Sequence, residues 1–361
     1  MAGAGWRYIA QRATTGEMLD LDVPIAREEL SWALSGGGAL RGSVSPDVGG
    51  LRAADGRMVL DEWGTLLYAE AAGQIRWGGI VTRSQFQGPT WSVEAVGMAA
   101  YPTGLPYLGE FVSEGVDPLD VVRELWSHVQ AQPDGDLGML VDGTTSPVRV
   151  GSKNEKYAVV WWEATDCGSE IDNLAKETPF DYAEDHWWSG DEIRHRLILG
   201  YPRLGRRRDD LLFEQGVNVT DVVAPTRDGD AYANELVGLG SGEGRKVLLR
   251  RIPERDGRLR RAVMYSDKLV NTEARMDALC RAELAVRRNL TEVSAVEVVD
   301  HPNAPIGSWA LGDDVLIRAR IPWLGDVELW HRVVGWSLVS DSRARLSLRR
   351  SDSFTYRGKE Q

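Results

Sequence analysis

The sequence contains little cysteine, histidine or phenylalanine: two, five and five residues, respectively, in a chain of 361. Cys167 and Cys280 lie far apart, and neither belongs to a CxxC pair. This pattern argues against a disulfide framework and against a thiolate metal site. We therefore expect two free thiols in a reducing compartment.

Long apolar runs and an excess of positive charge are also missing. No segment approaches the ~20 apolar residues of a membrane span, and the opening MAGAGWRYIAQRA lacks the apolar core of a signal peptide. We expect synthesis and folding in the cytoplasm, without stable membrane insertion. The net charge of −12, from 42 Lys and Arg against 54 Asp and Glu, repels nucleic-acid phosphates over most of the surface. That charge is still compatible with DNA that slides through a passage without sticking.

Tryptophan, by contrast, is abundant. The chain has 14 tryptophans, with a hydrophobic content of 43% and a charged content of 27% that are typical of a soluble globular protein. A tryptophan ring buries a large area and keeps an N–H donor, which suits half-buried sheets and subunit contacts. The chain length favours two to four modules over a single core.

Short strands separated by Gly and Pro turns dominate the first hundred residues and return at 194–266 and 292–350. After a turn at 87–90, Trp91, Val93 and Ala95 alternate with polar residues, which is the period of a half-buried strand. Near the end, Leu346 and Leu348 alternate with arginine and serine in the same way. Such strands with little helix between them favour a closed or sandwiched β module.

Three helices interrupt these strands. Asp117-Pro118 is a strong start signal, and the apolar stripe that follows it consists of Leu119, Val122, Leu125, Trp126 and Val129. A shorter helix begins at Ser169-Glu-Ile-Asp172, which has the form of a capping box, and Pro179 stops it. Residues 271–290 are the strongest helix in the chain.

The sequence thus predicts a mainly β fold with interspersed helices (α+β), made of two β-barrel-like modules and smaller α/β elements. We place a first β-barrel-like module at residues 1–105 and an α/β connecting module at 106–193. A second β-barrel-like module is placed at 194–266, and a helix with a C-terminal β module at 267–361.

Two glycine-rich stretches have spacings that suggest phosphate binding. Gly37-x4-Gly42-Ser43 lacks the lysine that a phosphate loop places after its second glycine. Gly238-Leu-Gly240-Ser-Gly242-Glu-Gly244 leads into a strand, whereas a dinucleotide site needs a helix N-terminus there. We predict turns and closely packed strand ends at both places, and no cofactor.

Residues 181–195 are the densest candidate for chemistry. His186, Glu192 and His195 could ligate a metal, or paired acids could serve a glycosidase, and Glu328-Leu-Trp-His331 repeats the ExxH spacing. Both ExxH copies lie in strand-like sequence, where positions i and i+3 point to opposite faces. We therefore predict a hairpin with solvated acids, no metal site, no catalytic residues and no enzymatic activity. The remaining histidines, His128 and His301, are isolated.

Several segments together resemble a known family. ELSWALSGGGALRGSVSPDVGG, LDEWGTLLYAEAAGQIRWGGIVTRS and WSVEAVGMAAYP resemble the first β module of minor tail proteins from long-tailed phages of actinobacteria, which are similar to hub proteins of baseplates and tail tips. FEQGVNVTDVVAPTRDGDAYANELVGLGSGEG, the helix after NTEARMD, and APIGSWALGDDVLIRARIP with HRVVGWSLVS agree in the second half.

The resemblance implies a structural role in a virion tail that is assembled in the host cytoplasm. It implies a homotrimeric ring of pseudo-sixfold symmetry that adapts the sixfold tail tube to a threefold tip, and through which DNA leaves. The implied partners are the distal tail protein, the tape measure protein and tip or fibre proteins. Two alternatives stay open: a tail-associated cell-wall hydrolase that uses residues 181–195, and a carbohydrate-binding β module that uses Trp161-Trp162 or Trp187-Trp188.

One basic segment stands out on this acidic chain, KVLLRRIPERDGRLRRAVMY at 246–265. A turn at Pro253–Gly257 predicts a hairpin whose distal part has a local charge of +4. Its basic residues are Arg250, Arg251, Arg255, Arg258, Arg260 and Arg261, against Glu254 and Asp256. The hairpin is either simply solvated or a projecting arm that binds carboxylates on an adjacent tail protein or hub subunit.

Overall fold

The computed structural model describes residues 5–45, 52–53, 55–153, 155–227, 229–230, 232–267, 270–288 and 291–351. The first part of the chain forms seven strands: β1 (Arg7–Arg12), β2 (Met18–Asp20), β3 (Ile25–Ala33), β4 (Ala39–Val44), β5 (Thr65–Ala71), β6 (Gln74–Gln87) and β7 (Thr90–Gly97). The middle part comprises β8 (Glu110–Ser113), α1 (Pro118–Gln130), β9 (Met139–Val141), β10 (Tyr157–Val160), α2 (Cys167–Glu177), β11 (Asp181–Ser189) and β12 (Glu192–Gly200).

The last part mixes strands with the third helix. It comprises β13 (Arg207–Glu214), β14 (Thr226–Arg227), β15 (Glu235–Leu239), β16 (Leu249–Pro253), β17 (Ala262–Ser266), α3 (Glu273–Arg288), β18 (Thr291–Glu292), β19 (Ala295–Val299), β20 (Asp314–Ile321), β21 (Gly325–Ser340) and β22 (Arg343–Arg350). The fold is therefore mainly β with interspersed helices, as the sequence predicts.

One twelve-stranded sheet joins the two ends of the chain. Its path runs β13-β20-β21-β3-β4-β7-β6-β5-β1-β2, and β22 pairs with both β21 and β19. The sheet has two halves, one made of β1–β7 and the other of β13 and β19–β22. The long strand β3 joins them, since Ile25–Leu30 pairs with β4 and Ser31–Ala33 pairs with Gly335–Ser337 of β21. The two β regions are thus hydrogen-bonded into one structure.

None of the described sheets closes into a barrel, so the expectation of β-barrel-like modules is corrected. The path ends at β2 on one side and at β13 on the other, and neither end pairs with the opposite one. Local alternation, which was the basis of that expectation, specifies which face of a strand is buried. It does not specify whether the first strand of a sheet meets the last.

The predicted alternation and helices are otherwise seen in the structure. Trp91, Val93 and Ala95 are buried, and β22 buries Ala344, Leu346 and Leu348 between exposed neighbours. Helix α1 buries the whole predicted stripe, and the Asp117 carboxylate accepts a hydrogen bond from the Leu119 N–H. Helix α2 begins three residues earlier than a cap at Ser169 would place it, because Asp166 provides the cap.

Three large cores lie against the main sheet, and a fourth is separate. The layer formed by α1, α2 and the β9–β12 region packs with Tyr68 and Ile80 of the first strands and with Met98, which follows β7. The separate core lies between α3 and the three-stranded sheet β16-β15-β17, and it contains Leu236, Met276 and Cys280. Among the described residues, no helix is both long and apolar enough to cross a membrane.

Candidate functional site

Strands β11 and β12 form the hairpin predicted for residues 181–195. His186 and His195 lie directly opposite each other, with their Nδ1 atoms 3.4 Å apart. The Tyr68 hydroxyl lies 3.3 Å from Nε2 of His195 and donates a 2.7 Å hydrogen bond to Oε1 of Gln11. The two histidines are buried, 6% and 5% exposed, between the hairpin and the main sheet.

The environment of His195 keeps this side chain uncharged at neutral pH. Burial, assisted by the neighbouring His186 and Arg194, lowers the pKa of His195 to about 3. Burial also raises the pKa of Tyr68 well above its ordinary value. Nearby, the Glu184 carboxylate accepts a 2.8 Å hydrogen bond from the Ala99 N–H. These contacts make the pair part of the packing between the hairpin and the sheet.

The ExxH spacing does not bring metal ligands together in this geometry. Glu192 is exposed and pairs with Arg194, whereas His195 is buried, so the two residues of the ExxH spacing lie on opposite faces as predicted. Likewise, Glu328 is exposed and His331 is buried. Within the described part of the chain, no three His, Cys, Asp or Glu side chains lie close enough together to hold a metal ion.

The expectation of solvated acids in this hairpin is correct for only some of them. Asp181 is 6% exposed and forms an ion pair with Arg332, and its carboxylate accepts a hydrogen bond of 2.8 Å from the Leu204 N–H. Glu184 is also largely covered, whereas Asp185 and Glu192 are open to solvent. The ion pair of Asp181 could not be predicted from the sequence, because its partner Arg332 lies 151 positions later in the chain.

The two glycine-rich stretches pack closely against neighbouring segments, as predicted. A Cβ at Gly37 would lie 2.9 Å from the Gly97 carbonyl oxygen, so this loop lies directly against β7. A Cβ at Gly238 would lie 2.6 Å from the sulfur atoms of Met276 and Cys280 in α3. The glycines serve close packing at both places.

A cleft lies where the two halves of the main sheet meet. It has a volume of about 540 Å³, and its lining includes Trp6, Trp32, Trp309 and Trp336. The rings of Trp32 and Trp336 are stacked with centroids 3.8 Å apart, across the pairing of β3 with β21. This stack fixes the joint between the halves.

Several other tryptophan side chains are exposed. Trp161 and Trp162 are 58% and 56% exposed and meet edge to face, while Trp323 at the β20–β21 turn is 94% exposed. By contrast, Trp187 and Trp188 are half-buried. Exposed apolar side chains of this size are typical of surfaces that contact another molecule.

The basic segment does not form the predicted hairpin. Strands β16 and β17 each pair with β15, on opposite sides of it, so the chain crosses over between them instead of turning back. We call this three-stranded unit the arginine sheet. The turn at Asp256-Gly257 is present, but it lies within this crossover connection.

Four of the six arginines in the basic segment have acidic partners within the chain. Arg251 and Arg260 both donate to the Glu235 carboxylate, at 2.7 to 2.9 Å from Arg251 and 2.5 to 3.1 Å from Arg260. These bonds, with Arg260 contributing most, lower the pKa of Glu235 to about 2. Other pairs join Arg250 to Asp277 and Glu273 on α3, Arg258 to Asp256, and Arg288 to Glu254. The idea of a freely projecting arm is therefore corrected.

Three solved tail proteins, two of them from prophages, have the same fold. The 43 kDa tail protein of prophage MuSo2 from Shewanella oneidensis superposes with a TM-score of 0.61 at 12% identity, covering 96% of this chain and 99% of that one. A tail protein from Neisseria meningitidis MC58 gives 0.57 at 13% identity over 96% and 97% of the two chains. Prophage tail protein gp18 from Listeria monocytogenes EGD-e gives 0.57 at 12% identity over 96% and 95%.

Sequence comparison alone does not reach these proteins. No family model and no curated protein sequence matches the chain. The structural similarity covers almost the whole length of both molecules in each of the three superpositions. This chain therefore has the fold of these three tail proteins.

Proposed function

We propose that this protein is a structural component of a phage tail and forms a homotrimeric hub at the tail tip. The observation that carries this proposal is the similarity of fold over 95% to 99% of each of three tail proteins. The structural similarity covers both halves of the main sheet and the layer formed by α1, α2 and the β9–β12 region. This extent argues that the whole architecture is shared, rather than a single module.

The way the two halves are joined supports a role as a wall. The main sheet continues through β3 from one half to the other, and the Trp32–Trp336 stack lies at the joint. A wall element must resist shear between its parts, and continuous backbone hydrogen bonding across the joint provides that resistance. Three such subunits would adapt a sixfold tube to a threefold tip and leave a passage for DNA.

The surface offers material for subunit contacts. Large apolar side chains are exposed at separate places, including Leu108, Trp161, Leu259 and Trp323. A closed ring uses two different patches of each subunit, since each subunit contacts a neighbour on either side. In a virion tail the remaining patches would meet the distal tail, tape measure, and tip or fibre proteins. Actinobacterial phages are the proposed source.

The test of this proposal is the mass and shape of the purified chain. We expect a particle of three times 39.9 kDa, about 120 kDa, that shows threefold symmetry in electron micrographs and buries more than ~2,000 Å² per interface. Antibody labelling of phage particles should place the protein at the tail tip. A folded monomer that persists at micromolar concentration contradicts the proposal.

The exposed Trp161-Trp162 pair favours a second candidate, recognition of cell-wall sugar. Tryptophan rings that are more than half exposed can stack on the apolar face of a pyranose ring. Sedimentation with purified peptidoglycan tests this role, with the Trp161→Ala/Trp162→Ala variant as the control. Equal sedimentation of both proteins, or none of either, would eliminate it.

A further inference from the structure

The arginine sheet has one covered and one open face. On the covered side, Leu236 and Gly238 pack against α3. On the open side, strand register places Arg251 and Met264 on either side of Val237, and Leu249 beside Leu239. Leu249 is 55% and Met264 is 67% exposed. We call this side the open face.

One edge of the open face carries a surplus of positive charge. A concavity of about 550 Å³ at its edge is lined by Arg251, Arg255, Arg258 and Arg260 against Glu235 and Glu254. Four arginines against two glutamates leave a surplus of two positive charges. Asp256, outside that lining, pairs with Arg258, and Arg288 pairs with Glu254, so these two outer charges cancel.

The guanidinium groups are held in fixed orientations. Glu235 is buried, with a side chain 5% exposed, beneath Arg251 and Arg260, whose side chains are 60% and 64% exposed. Each of these arginines spends its Nε and one terminal nitrogen on Glu235, so the other terminal nitrogen of each can donate to a further carboxylate. Such anchoring lowers the conformational entropy that binding costs.

These features define what fits the open face. A small anion would use the arginines but would leave Leu249 and Met264 in water. A matching protein surface covers both the apolar side chains and the guanidinium groups. Two copies of the open face cannot meet across a twofold axis, because that contact would set arginine against arginine.

We infer that the open face binds an acidic, partly apolar surface on a neighbouring copy of this chain, in a head-to-tail contact. The chain itself supplies the complement, since it carries 54 Asp and Glu against 42 Lys and Arg while the open face has a positive surplus. A contact between two different patches closes into a ring, so this inference rests on the proposed trimer and identifies one side of its interface.

The test changes the charge of a single exposed position in both directions. Met264→Glu places a negative charge opposite the neighbour's carboxylates and should weaken association at least ~10-fold. Met264→Lys adds a charge of the favourable sign and should associate like the wild type. Both variants should unfold like the wild type, since the side chain is 67% exposed. Sedimentation velocity over a concentration series measures the association, and circular dichroism checks the fold.

A matched position elsewhere gives the control. Leu140 on β9 is 56% exposed, and its Glu and Lys variants should not differ from each other in association. The inference is overturned if Met264→Glu and Met264→Lys weaken association equally, which indicates an apolar contact alone. It is also overturned if neither has an effect in a trimeric wild type, a result that leaves the proposed hub intact. A monomeric wild type overturns the proposed trimer itself.

Discussion

The ion pair between Arg332 and Asp181 is the point at which the structure can be tested most sharply. It joins β21, in the second half of the main sheet, to β11, in the layer formed by α1, α2 and the β9–β12 region. The Arg332 side chain is fully buried, and besides Asp181 it donates to the backbone oxygens of Gly312 at 3.1 Å and Leu204 at 2.9 Å. Replacement by methionine removes the charge and these donors while keeping most of the volume.

The expected cost follows from what is left behind. In Arg332→Met the Asp181 carboxylate stays buried without its cation, and breaking one partner of a buried pair costs about 3–5 kcal/mol in the free energy of unfolding. An exposed cross-strand pair gives the comparison. Arg318 and Glu328 are 45% and 62% exposed and 2.8 Å apart, so Arg318→Met should cost only about 0–1 kcal/mol.

Urea unfolding followed by tryptophan fluorescence measures Arg332→Met, Arg318→Met, Asp181→Asn and a double mutant. Arg332→Met/Asp181→Asn removes both charges, so its loss should be clearly smaller than the sum of the two single losses. The reasoning fails if Arg332→Met costs less than about 1 kcal/mol, or no more than Arg318→Met does. It also fails if the two single losses simply add, because the residues would then be energetically independent.

Three further changes probe the other buried contacts. Asp117→Ala should cost about 2–3 kcal/mol in urea unfolding, since it removes the cap of α1 and the acceptor for the backbone and hydroxyl of Ser146, and Asp117→Asn should cost less. The pKa of His195 is about 3 in the folded chain and ~6.5 in the unfolded chain, so between these pH values the unfolded chain binds more protons. The contribution of His195 to stability is therefore full above pH ~6.5 and is lost as the pH falls. His195→Gln should flatten this dependence between pH 7 and 5; an unchanged slope refutes the assignment. Gly238→Val should lower the thermal midpoint by overpacking against α3, whereas Gly143→Ala, with open space around it, should not.

Local features of the fold could be predicted from the sequence because their causes lie within a few residues. The cap at Asp117 and the apolar stripe of α1 define a helix within a span of 14 positions. The alternation around Trp91 defines one buried face of β7. The opposite exposure of Glu192 and His195 follows from strand geometry alone. Each of these depends only on the period of the backbone.

The pairings between distant segments could not be predicted in this way. Nothing near Ser31–Ala33 indicates that it pairs with Gly335–Ser337, and nothing near Glu235 indicates that arginines 16 and 25 positions later converge on it. The predicted hairpin failed for the same reason. Two strands joined by an Asp-Gly turn favour pairing with each other, but β15 takes the place between them.

The position of the arginine sheet in the fold explains why charge changes on it should report on assembly rather than on folding of the whole chain. Its core with α3 is separate from the three cores at the main sheet. Within the described residues, the strands that pair the segments entering and leaving the unit are β14 and β18, which have two residues each. A perturbation on the open face therefore has few packed side chains through which to reach the joint at β3 and β21. If Met264→Glu instead destabilised the main sheet as much as Arg332→Met, the arginine sheet would have to be an integral part of the wall, and the open face a folding surface rather than a docking surface.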